Sequence, residues 1–472
     1  MQEVGVLKTI LREKNKNLIS ALEKIVGHSN VLSNDDERYC YSFDATNIAD
    51  NQGIADVVVF PETTQHVSEI VKFANKSNIP IVPRCAGTNH VGGCIPCNGG
   101  IVISFSKMNK VIDVNKDNLY CVVEPGVVVG DLKNTVAECG LYYPPDPANY
   151  AVSMIGGSIA LSSGGPTSFK YGTTKDYILG LEVVMADGTV MNMGSTCAKD
   201  VTGYNLTQLF VGSEGTLGIV TKATIKLIPQ PEAKRVMLVY FKSIEEASSA
   251  VNSIISNLIT PAVIDLLDKN TLSTIEKFYP SGLKVDEEAA LLIEIDGYKE
   301  GLDSQYERII ELCQLNGVSY VQSAKSKDEA DRIWTARRAS FGATAKLAPV
   351  VVNEDIVVPR ENIVKLISGL KDICRRYALN VCIMGHIGDG NLHPNIALDP
   401  RNERELENYK KAQVELYDLT IELGGTLSGE HGIGCEKSMF LSKALSKETI
   451  DSMKQIKKMF DPKNILNPGK IF

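Results

Sequence analysis

The stretch PRCAGTNHVGG, residues 83–93, decides the fold. Its glycines leave backbone N–H groups open to cradle a phosphate, although a glycine-rich turn without a ligand would look the same. Two more glycine-rich loops follow, MIGGSIALSSGGPTSFKYGTTKD at 154–176 and GSEGTLGI at 212–219. Three such loops so close together indicate an extended phosphate-bearing cofactor rather than ordinary turns. None is a GxGxxG that follows a strand and opens a helix, so a Rossmann site for NAD is not indicated.

Composition and charge limit the partners of the chain. Its 472 residues are enough for two or three domains. A net charge of −8 without a long Lys/Arg run argues against nucleic acid as the main partner. No uninterrupted apolar stretch reaches the ~18–20 residues of a membrane span, and the charged N-terminus does not read as a signal peptide. We therefore expect a cytoplasmic protein that is not an integral membrane protein.

The eleven cysteines are scattered, and in the cytoplasm we expect them to be reduced. Cys94 and Cys97 in CIPC have the spacing of a redox or metal-binding pair. A second CxxC at zinc-finger distance is missing. The spacing alone is also compatible with two inert small residues in a tight loop, and this second interpretation is the favoured one.

The order of strands and helices changes near residue 231. Between 55 and 230, short apolar strands alternate with glycine-rich loops and a few helices. From 231 onward the order is strand–helix–strand, with a helix capped by Ser243 and Glu246, which predicts an antiparallel sheet with helices on one face. After about residue 405, helices dominate. The N-terminus predicts an amphipathic helix that could dock a partner. Its apolar side would carry Leu7, Ile10, Leu11, Leu18, Leu22 and Ile25.

Three of the six histidines lie in two glycine-framed motifs, GHIGDGNLHPN at 385–395 and GEHGIG at 429–434. A catalytic metal commonly has three protein ligands and one open position, which two imidazoles and a carboxylate can supply. Asp389 and Asn391 could orient the imidazoles. The alternative is a set of loop histidines that only make hydrogen bonds. The residues that point to a catalytic site are His386, His393, Glu430 and His431.

The order of these motifs resembles the vanillyl-alcohol-oxidase-type flavoproteins, and more narrowly their branch of glycolate oxidase D-subunits and D-lactate dehydrogenases. PPDPANYAVSMIGG (144–157), GLEVVMADG (180–188) and FDPKNILNPGK (460–470) extend the likeness to nearly the whole chain. The resemblance implies an α+β chain in which a two-lobed PCMH-type FAD-binding domain is joined to a ferredoxin-like α+β substrate (cap) domain. The expected parts are an N-terminal helical segment at 1–50, the FAD domain at 51–230, the cap at 231–420 and a helical C-terminal segment at 421–472 that returns to the FAD domain.

The resemblance also implies which residues hold FAD. The first glycine loop would bind the pyrophosphate, and the later loops would line the ribityl chain and the isoalloxazine. Thr88 stands where some relatives attach FAD covalently through histidine, so non-covalent FAD is expected, with His90 as a possible polar contact. Asn89 and His90 replace a Gly-Leu pair, and Ser158 replaces a frequent Asn. The expected cofactor residues are Arg84, Ala86, Gly87, Thr88, Asn89, Gly92, Gly93, Pro145, Asp146, Ser153, Gly156, Gly157, Ser158, Ser163, Gly164, Tyr171, Gly172, Glu214, Gly218 and Ile219.

Relatives that act on D-2-hydroxy acids hold a divalent metal on the motifs found here. Carried over, the ligands are His386, His393 and Glu430, and His431 is the base. Asn395 would contact the substrate. An arginine should hold the substrate carboxylate, because a guanidinium matches it bidentately. The candidate is Arg337, with Arg338 as the rival. The donor set suits Zn²⁺, Fe²⁺ or Mn²⁺ almost equally.

The function that follows from the resemblance is oxidation of D-lactate to pyruvate. The metal would assist deprotonation of the hydroxyl, and the C2 hydride would pass to flavin N5. Electrons would continue to an electron-transfer flavoprotein, as in electron-bifurcating lactate dehydrogenases, within a homo-oligomer or a larger hetero-complex. Glycolate or D-2-hydroxyglutarate is the alternative substrate, but Asn353 stands where glutarate-type relatives carry Lys. A non-catalytic electron-relay subunit is the alternative from another class, and it should have lost the His/Glu set.

Overall fold

The computed structural model describes residues 16–46 and 53–472. The predicted N-terminal helix is described over residues 16–26, where Leu18, Leu22 and Val26 are buried. Its predicted apolar positions Leu7, Ile10 and Leu11 lie outside the described residues. A short 3-10 turn at His28–Asn30 and a helix at Asp35–Tyr39 follow.

The first lobe is built on a four-stranded sheet. Its strands, in spatial order, are Val31–Leu32, Val57–Val59, Ile101–Ser104 and Ile81–Arg84, with helix Thr64–Ser77 against them. The last three strands are parallel. All four residues of Ile101–Ser104 are buried, as expected for a parallel strand that is covered on both faces. The loop 83–93 leaves this sheet at the carboxyl end of Ile81–Arg84.

The second lobe is an antiparallel sheet of five strands. In spatial order these are Val111–Asn115, Tyr120–Val123, Ile219–Lys226, Ile178–Val184 and Val190–Gly194. Leu141–Tyr142 pairs separately with Ile228–Pro229. The helices of this lobe are Val129–Ala137, Ile155–Leu161, Ser168–Tyr171 and Leu206–Phe210, with a 3-10 turn at Thr174–Tyr177. The glycine loops 154–176 and 212–219 therefore flank the same sheet.

The cap is a large antiparallel sheet. In spatial order its strands are Val318–Ser323, Ala233–Phe241, Ala289–Gly297, Val263–Asp268, Asn380–His386, Asn391–Leu398 and Val350–Asn353, and Ile356–Val357 also pairs with Asn391–Leu398. One face is covered by helices Ile244–Ser256, Lys299–Leu315, Ile363–Arg376 and Glu403–Glu422, and the other by Lys269–Phe278 and Lys327–Thr344. A 3-10 turn, Arg360–Asn362, precedes one of these helices.

Helices on both faces correct the expectation of a sheet covered on one face. The sequence AALLI at 289–293 is an uninterrupted apolar run rather than an alternating one, and all of its residues are buried. A strand of that kind loses water on both sides, and so needs two helical layers. Ser243 caps its helix as predicted, accepting a hydrogen bond from the Glu246 N–H, while the Glu246 carboxylate accepts from the N–H of Lys242 instead of Ser243.

The C-terminal segment returns to the FAD lobes. It contains a 3-10 turn at Ser438–Phe440 and helices at Leu441–Ala444 and Lys447–Phe460. The ring of Phe460 lies 5.3 Å from that of Phe210, centroid to centroid. The N–H of Ile81 donates to the carbonyl of Ile465, so the tail runs beside the first lobe. No helix in residues 16–46 and 53–472 combines the length and the apolar character that crossing a bilayer requires.

Candidate active site

A cavity of about 380 Å³ lies between the glycine loops of the two lobes and the cap sheet. The glycine loops form one end of its wall, and the histidine motifs form the other. It thus joins the two groups of motifs that are far apart in sequence. The expected cofactor residues that line it are Arg84, Ala86, Gly87, Thr88, Asn89, Gly93, Ser153, Gly156, Gly157, Ser158, Ser163, Glu214, Gly218 and Ile219.

The first glycine loop has the geometry of an anion cradle. Gly87 has a φ of +69°, which an L-residue rarely adopts. The Asn89 amide oxygen accepts from the N–H of Gly93 at 2.8 Å and so closes the turn. Within the described part of the chain, the N–H groups of Ala86, Gly87 and Thr88 donate to no other group. Such open N–H groups are what a pyrophosphate requires.

The middle of the cavity also fits a cofactor with polar and apolar parts. The Ser153 hydroxyl lines the cavity and is buried without a hydrogen-bond partner in the described residues. A Cβ added to Gly157 would meet only the Cys85 side chain, at 3.6 Å, so the wall there is open backbone. Phe105 and Leu161 supply apolar surface. These features match the needs of FAD.

Some expected cofactor residues lie outside the cavity lining. They are Gly92, Pro145, Asp146, Gly164, Tyr171 and Gly172. Asp146 instead accepts from Lys133 at 2.6 Å, and the Tyr171 hydroxyl donates to Asp296 at 2.8 Å. Residues that the sequence did not single out take their place. These are Cys85, Phe105, Pro147, Ala148, Asn149, Met154, Ala160, Leu161, Phe210, Gly215 and Val220.

At the other end, three predicted metal ligands meet. The Nε2 atoms of His386 and His393 lie 3.6 and 3.3 Å from Oε1 of Glu430. Their three donor atoms lie within 4.8 Å of one another, as one ion would need. His386 ends strand Asn380–His386, and His393 lies in the paired strand Asn391–Leu398. The cross-strand register thus brings the two imidazoles together, and a donor set of two nitrogens and one carboxylate fits a divalent metal.

The carboxylates nearest the Nδ1 atoms of the two imidazoles are distant in sequence, and only one of them is within hydrogen-bonding distance. Asp265 Oδ1 lies 2.6 Å from His386 Nδ1, and Asp355 Oδ1 lies 3.9 Å from His393 Nδ1. The expectation that Asp389 orients His386 is therefore wrong, because strand pairing sets Asp265 beside this imidazole. Asn391 acts indirectly, since its side-chain amide donates to Asp355 at 2.7 Å. The signal for both carboxylates was an Asp inside an apolar strand, in VIDLLD and NEDIVVP.

At this end of the cavity, the pKa values of His386 and His431 are shifted in opposite directions. Burial disfavours charge on His386, but Asp265 and Glu430 outweigh it and hold its pKa well above the ordinary value. Burial likewise opposes ionisation of Glu430, yet the two imidazoles hold the pKa of that carboxyl well below its usual range. Burial lowers the pKa of His431 to about 3, against the pull of Asp355. His431 is therefore neutral and can accept a proton.

His431 stacks on His393 and lies beside His90 at the junction of the two ends. The His431 ring lies 5.2 Å from the rings of both His393 and His90, measured between centroids. His90 also contacts Phe341, at 5.6 Å. Both histidines line the cavity. His90 is thus a neighbour of the predicted base as well as part of the first glycine loop.

Arg337 and Arg338 both line the cavity in different settings. Arg337 is buried, and its Nε donates to Asp265 at 2.7 Å. Arg338 is partly exposed and lies over the rings of Trp334 and Tyr150, 5.0 Å from each centroid. Asp265 thus fixes the guanidinium of Arg337 and the imidazole of His386 together.

The predicted substrate contact Asn395 lies just beyond the lining. Its side-chain amide donates to the carbonyl of His393 at 3.1 Å. Asn353 stands directly opposite it in the strand register and does line the cavity. The position that distinguishes glutarate-type relatives is therefore part of the wall.

The thiols of the CIPC motif have separate partners. Cys94 Sγ accepts from the Arg84 guanidinium at 3.2 Å. Cys97 Sγ accepts from Lys470 at 3.4 Å and is also hydrogen-bonded to Cys435. The two cysteines thus hold the first glycine loop and the C-terminal tail, respectively.

Comparisons with known proteins decide the family. Residues 230–471 match the family described as FAD linked oxidases, C-terminal domain, and residues 55–194 match one described as an FAD binding domain. The chain belongs to the FAD-linked oxidases. This family makes the protein an FAD-dependent oxidoreductase, in agreement with the resemblance seen in the sequence motifs.

Two curated relatives and one solved structure agree with the assignment of this chain to the FAD-linked oxidases. The glycolate oxidase subunit GlcD of Bacillus subtilis is 43% identical, over 97% of both chains. A D-lactate dehydrogenase of Archaeoglobus fulgidus is 35% identical, over 91% of this chain and 95% of the relative. P-cresol methylhydroxylase has the same fold, with a TM-score of 0.81 at 19% identity, over 97% of this chain and 96% of that one.

Proposed function

We propose that this FAD-linked oxidase oxidises a small D-2-hydroxy monocarboxylate, D-lactate first and glycolate second, to the 2-oxo acid. One observation carries the proposal: the His386, His393 and Glu430 donors and the neutral His431 open into the same cavity as the FAD loops. A relative named glycolate oxidase and another named D-lactate dehydrogenase support this substrate class. A cavity that joins both groups is what transfer of a hydride from substrate to flavin requires.

The metal-ligating role is assigned to His386, His393 and Glu430. A bound divalent ion, Zn²⁺, Fe²⁺ or Mn²⁺, supplies a Lewis acid for the substrate hydroxyl, and non-covalent FAD supplies the two-electron acceptor. Asp265 accepts the Nδ1 proton of His386, which leaves Nε2 on the side of Glu430, where a metal would replace the Nε2 proton. The buried Asp265 carboxylate thus orients His386 before anything binds.

The remaining catalytic roles follow from charge. His431 accepts the hydroxyl proton: burial keeps its imidazole neutral, and a bound Lewis acid would lower the pKa of the hydroxyl enough for this weak base. Arg337 holds the substrate carboxylate with the part of its guanidinium that Asp265 leaves available. Asn395, next to His393 on the same strand face, orients the substrate. The Asp265–Arg337 pair couples carboxylate binding to the ligand His386.

The choice of a small acid depends on Asn353. An amide at this place in the cavity wall supplies no cation for a distal carboxylate. D-2-hydroxyglutarate would bring a second carboxylate into that wall, and leaving it unpaired is costly. D-2-hydroxyglutarate is therefore the less favoured substrate.

We further propose that the electrons pass to an electron-transfer flavoprotein. The sequence has no dinucleotide fingerprint that would let the chain use NAD directly, so an external carrier is required. A tagged chain purified under native anaerobic conditions should recover a two-subunit flavoprotein. Recovery of the tagged chain alone, or of another redox carrier, would contradict this partner.

The central experiment is anaerobic bleaching of the bound flavin. D-lactate, L-lactate, glycolate and D-2-hydroxyglutarate are each mixed with the holoenzyme, with and without prior chelation. D-lactate or glycolate should bleach fastest, and chelation should slow bleaching. No bleaching by any of these acids would favour an electron-relay subunit. Bleaching that persists after both chelation and His431→Ala would contradict the metal and base assignments together.

A further inference from the structure

The segment Ser428–Gly434, here called the ligand segment, carries Glu430 and His431 yet belongs to no helix or strand. Its position must therefore be fixed by particular contacts rather than by regular hydrogen bonding. It passes between the cap sheet and the glycine loops, and each side presents one buried carboxylate to its backbone. Those carboxylates are Asp355 and Glu214.

Asp355 holds the first half of the ligand segment. The side chain is fully buried, and its Oδ2 atom accepts four hydrogen bonds from consecutive parts of the segment. The donors are the Ser428 hydroxyl at 2.6 Å and the N–H groups of Gly429, Glu430 and His431 at 2.9, 3.0 and 2.9 Å. Its Oδ1 atom accepts from Asn391, on the strand that carries His393. One carboxylate therefore ties both halves of the histidine–glutamate site together.

Glu214 holds the second half from the opposite side. It comes from the third glycine loop and lines the cavity. Its Oε1 accepts from the N–H of Ile433 at 2.7 Å, and its Oε2 accepts from the N–H of Gly434 at 2.8 Å. The Glu214 backbone has a φ of +53°, a costly conformation for a residue with a side chain. Its carbonyl accepts from Asn467 at 2.7 Å, which holds that conformation.

The glycines of the ligand segment are needed for this close approach. A Cβ on Gly429 would come within 2.7 Å of the Asn391 amide, and one on Gly432 within 2.9 Å of Glu214 Oε1. A Cβ on Gly434 would overlap the carbonyl oxygen of Val91. GEHGIG is thus spaced so that the backbone can contact a carboxylate on either side.

We propose that Asp355 and Glu214 are positioning residues that clamp the ligand segment from the cap and from the FAD domain, so that Glu430 and His431 are presented only when both halves are joined. The roles given to Glu430 and His431 rest on the proposed function. Asp355 lies close enough to His393 and His431 to be taken for a metal ligand. Its Oδ2 atom already accepts four hydrogen bonds and its Oδ1 atom one, and the buried ammonium of Lys437 donates to its backbone carbonyl at 3.1 Å.

Hydrogen exchange of the holoenzyme tests the clamp without reference to turnover. Asp355→Asn places an amide among N–H donors and should raise exchange at residues 429–431 about tenfold or more. Glu214→Gln should raise it at residues 433–434 by a similar factor. If Asp355→Asn does not fold, Ser428→Ala replaces it in the test. Ser428→Ala removes only one of the four donors to Asp355, so the rise in exchange at residues 429–431 should be smaller.

Two buried carboxylates of the same chain serve as controls. Glu354, next to Asp355, accepts from Tyr409, Tyr417 and Gln413 and from no N–H of the ligand segment. Asp461 accepts from two backbone N–H groups, as Glu214 does, but in the C-terminal tail. Glu354→Gln should leave exchange at 428–434 unchanged. Asp461→Asn, which holds the tail just before Asn467, should open residues 465–466 and raise exchange at 428–434 much less than Glu214→Gln does. Equal opening of the segment in the controls, or no opening in Asp355→Asn and Glu214→Gln, would overturn the clamp.

Metal content and flavin reduction separate this inference from the proposed function. Asp355→Asn should lower the metal-to-protein ratio while FAD content stays unchanged, because it releases Glu430. Glu214→Gln should lower kcat for flavin reduction more than it raises KM. The reason is that it frees Ile433 and Gly434, and with them the neighbouring His431, from the third glycine loop. If the wild type bleaches with no 2-hydroxy acid, the proposed function fails while the exchange data still decide the clamp.

Discussion

The two ends of the cavity are built in opposite ways. At the FAD end, the wall is backbone: open N–H groups and glycines that follow one another in short stretches of sequence. At the substrate end, the wall is side chains: Asp265 holds the imidazole of His386, Asp355 holds the backbone of Glu430, and His393 lies on the neighbouring strand. His386 and Asp265 are 121 residues apart, whereas Ala86, Gly87 and Thr88 are adjacent.

That difference determines what a change at each end does. A backbone cradle depends on local conformation, so it should tolerate loss of any one distant contact. A side-chain cluster depends on buried charges that are paired across strands, so removing one partner leaves another charge uncompensated. Changes at the substrate end should therefore have larger effects than changes at the FAD end.

The largest expected effect is that of His431→Ala. Loss of a general base typically costs about 10²–10⁴-fold, and His431 is the neutral imidazole that faces the cavity. Flavin bleaching by the preferred acid should slow by that factor while FAD stays bound. Stopped-flow reduction measures it, with His28→Ala on the exposed surface as the control. Bleaching at an undiminished rate would assign the base elsewhere.

The next prediction tests whether Asp265, rather than Asp389 of the histidine motif, orients His386. Asp265→Asn removes the partner of His386 Nδ1 and should weaken metal binding about 10–100-fold. It also leaves the buried Arg337 guanidinium without its ion pair, at a cost of about 3–5 kcal/mol in unfolding free energy.

Asp389→Asn is the matched control for Asp265→Asn. It lies in the same motif as His386, and burial raises the pKa of its carboxyl to about 6, but it makes no hydrogen bond with either imidazole in the described residues. Metal titration and thermal unfolding of both variants give the comparison. Equal losses in the two variants would mean that proximity to His386, rather than the hydrogen bond, is what matters.

Sequence reasoning succeeded where the information is local. Arg84 and Ala86 through Asn89 line the cavity as expected, because Gly87 sets the turn. In the loop that follows residue 143, the expected Pro145 and Asp146 lie outside the lining and Pro147–Asn149 line it, since an irregular loop has no periodicity from which to read a register. His386 and His393, predicted as metal ligands from their motif, do come together with Glu430.

Sequence reasoning failed where pairing between strands decides. Asp265 is beside His386 only because Leu266 pairs with Gly385 across two strands. Nothing near either residue in the sequence carries that register. The two helical layers on the cap were missed for a related reason: residues 289–296 were noted as a strand, but the unbroken apolar run at 289–293 was not read as a sign of burial on both faces.

A smaller effect is expected at the FAD end, from Gly87→Ala. Its φ of +69° costs an L-residue roughly 1–2 kcal/mol, and the new methyl group would displace the Arg84 guanidinium. FAD affinity should fall about tenfold, measured by flavin titration of the apoprotein. Gly140→Ala is the control, since it has a φ of +73° and no atom within 4 Å of an added Cβ. A similar loss of affinity in that variant would point to global strain rather than to the cradle.

The smallest expected effect is a change in substrate preference that leaves the catalytic residues intact. Asn353→Lys adds a cation to the cavity wall, opposite Asn395, while the ligands and the base stay in place. An ion pair that keeps access to water is worth under about 1 kcal/mol, so the kcat/KM ratio of D-2-hydroxyglutarate to D-lactate should rise about two- to fivefold. Asn353→Gln lengthens the side chain without charge and should leave the ratio unchanged. A rise in both variants would show that shape, not charge, sets the choice of acid, and a fall in Asn353→Lys would remove Asn353 from the substrate wall.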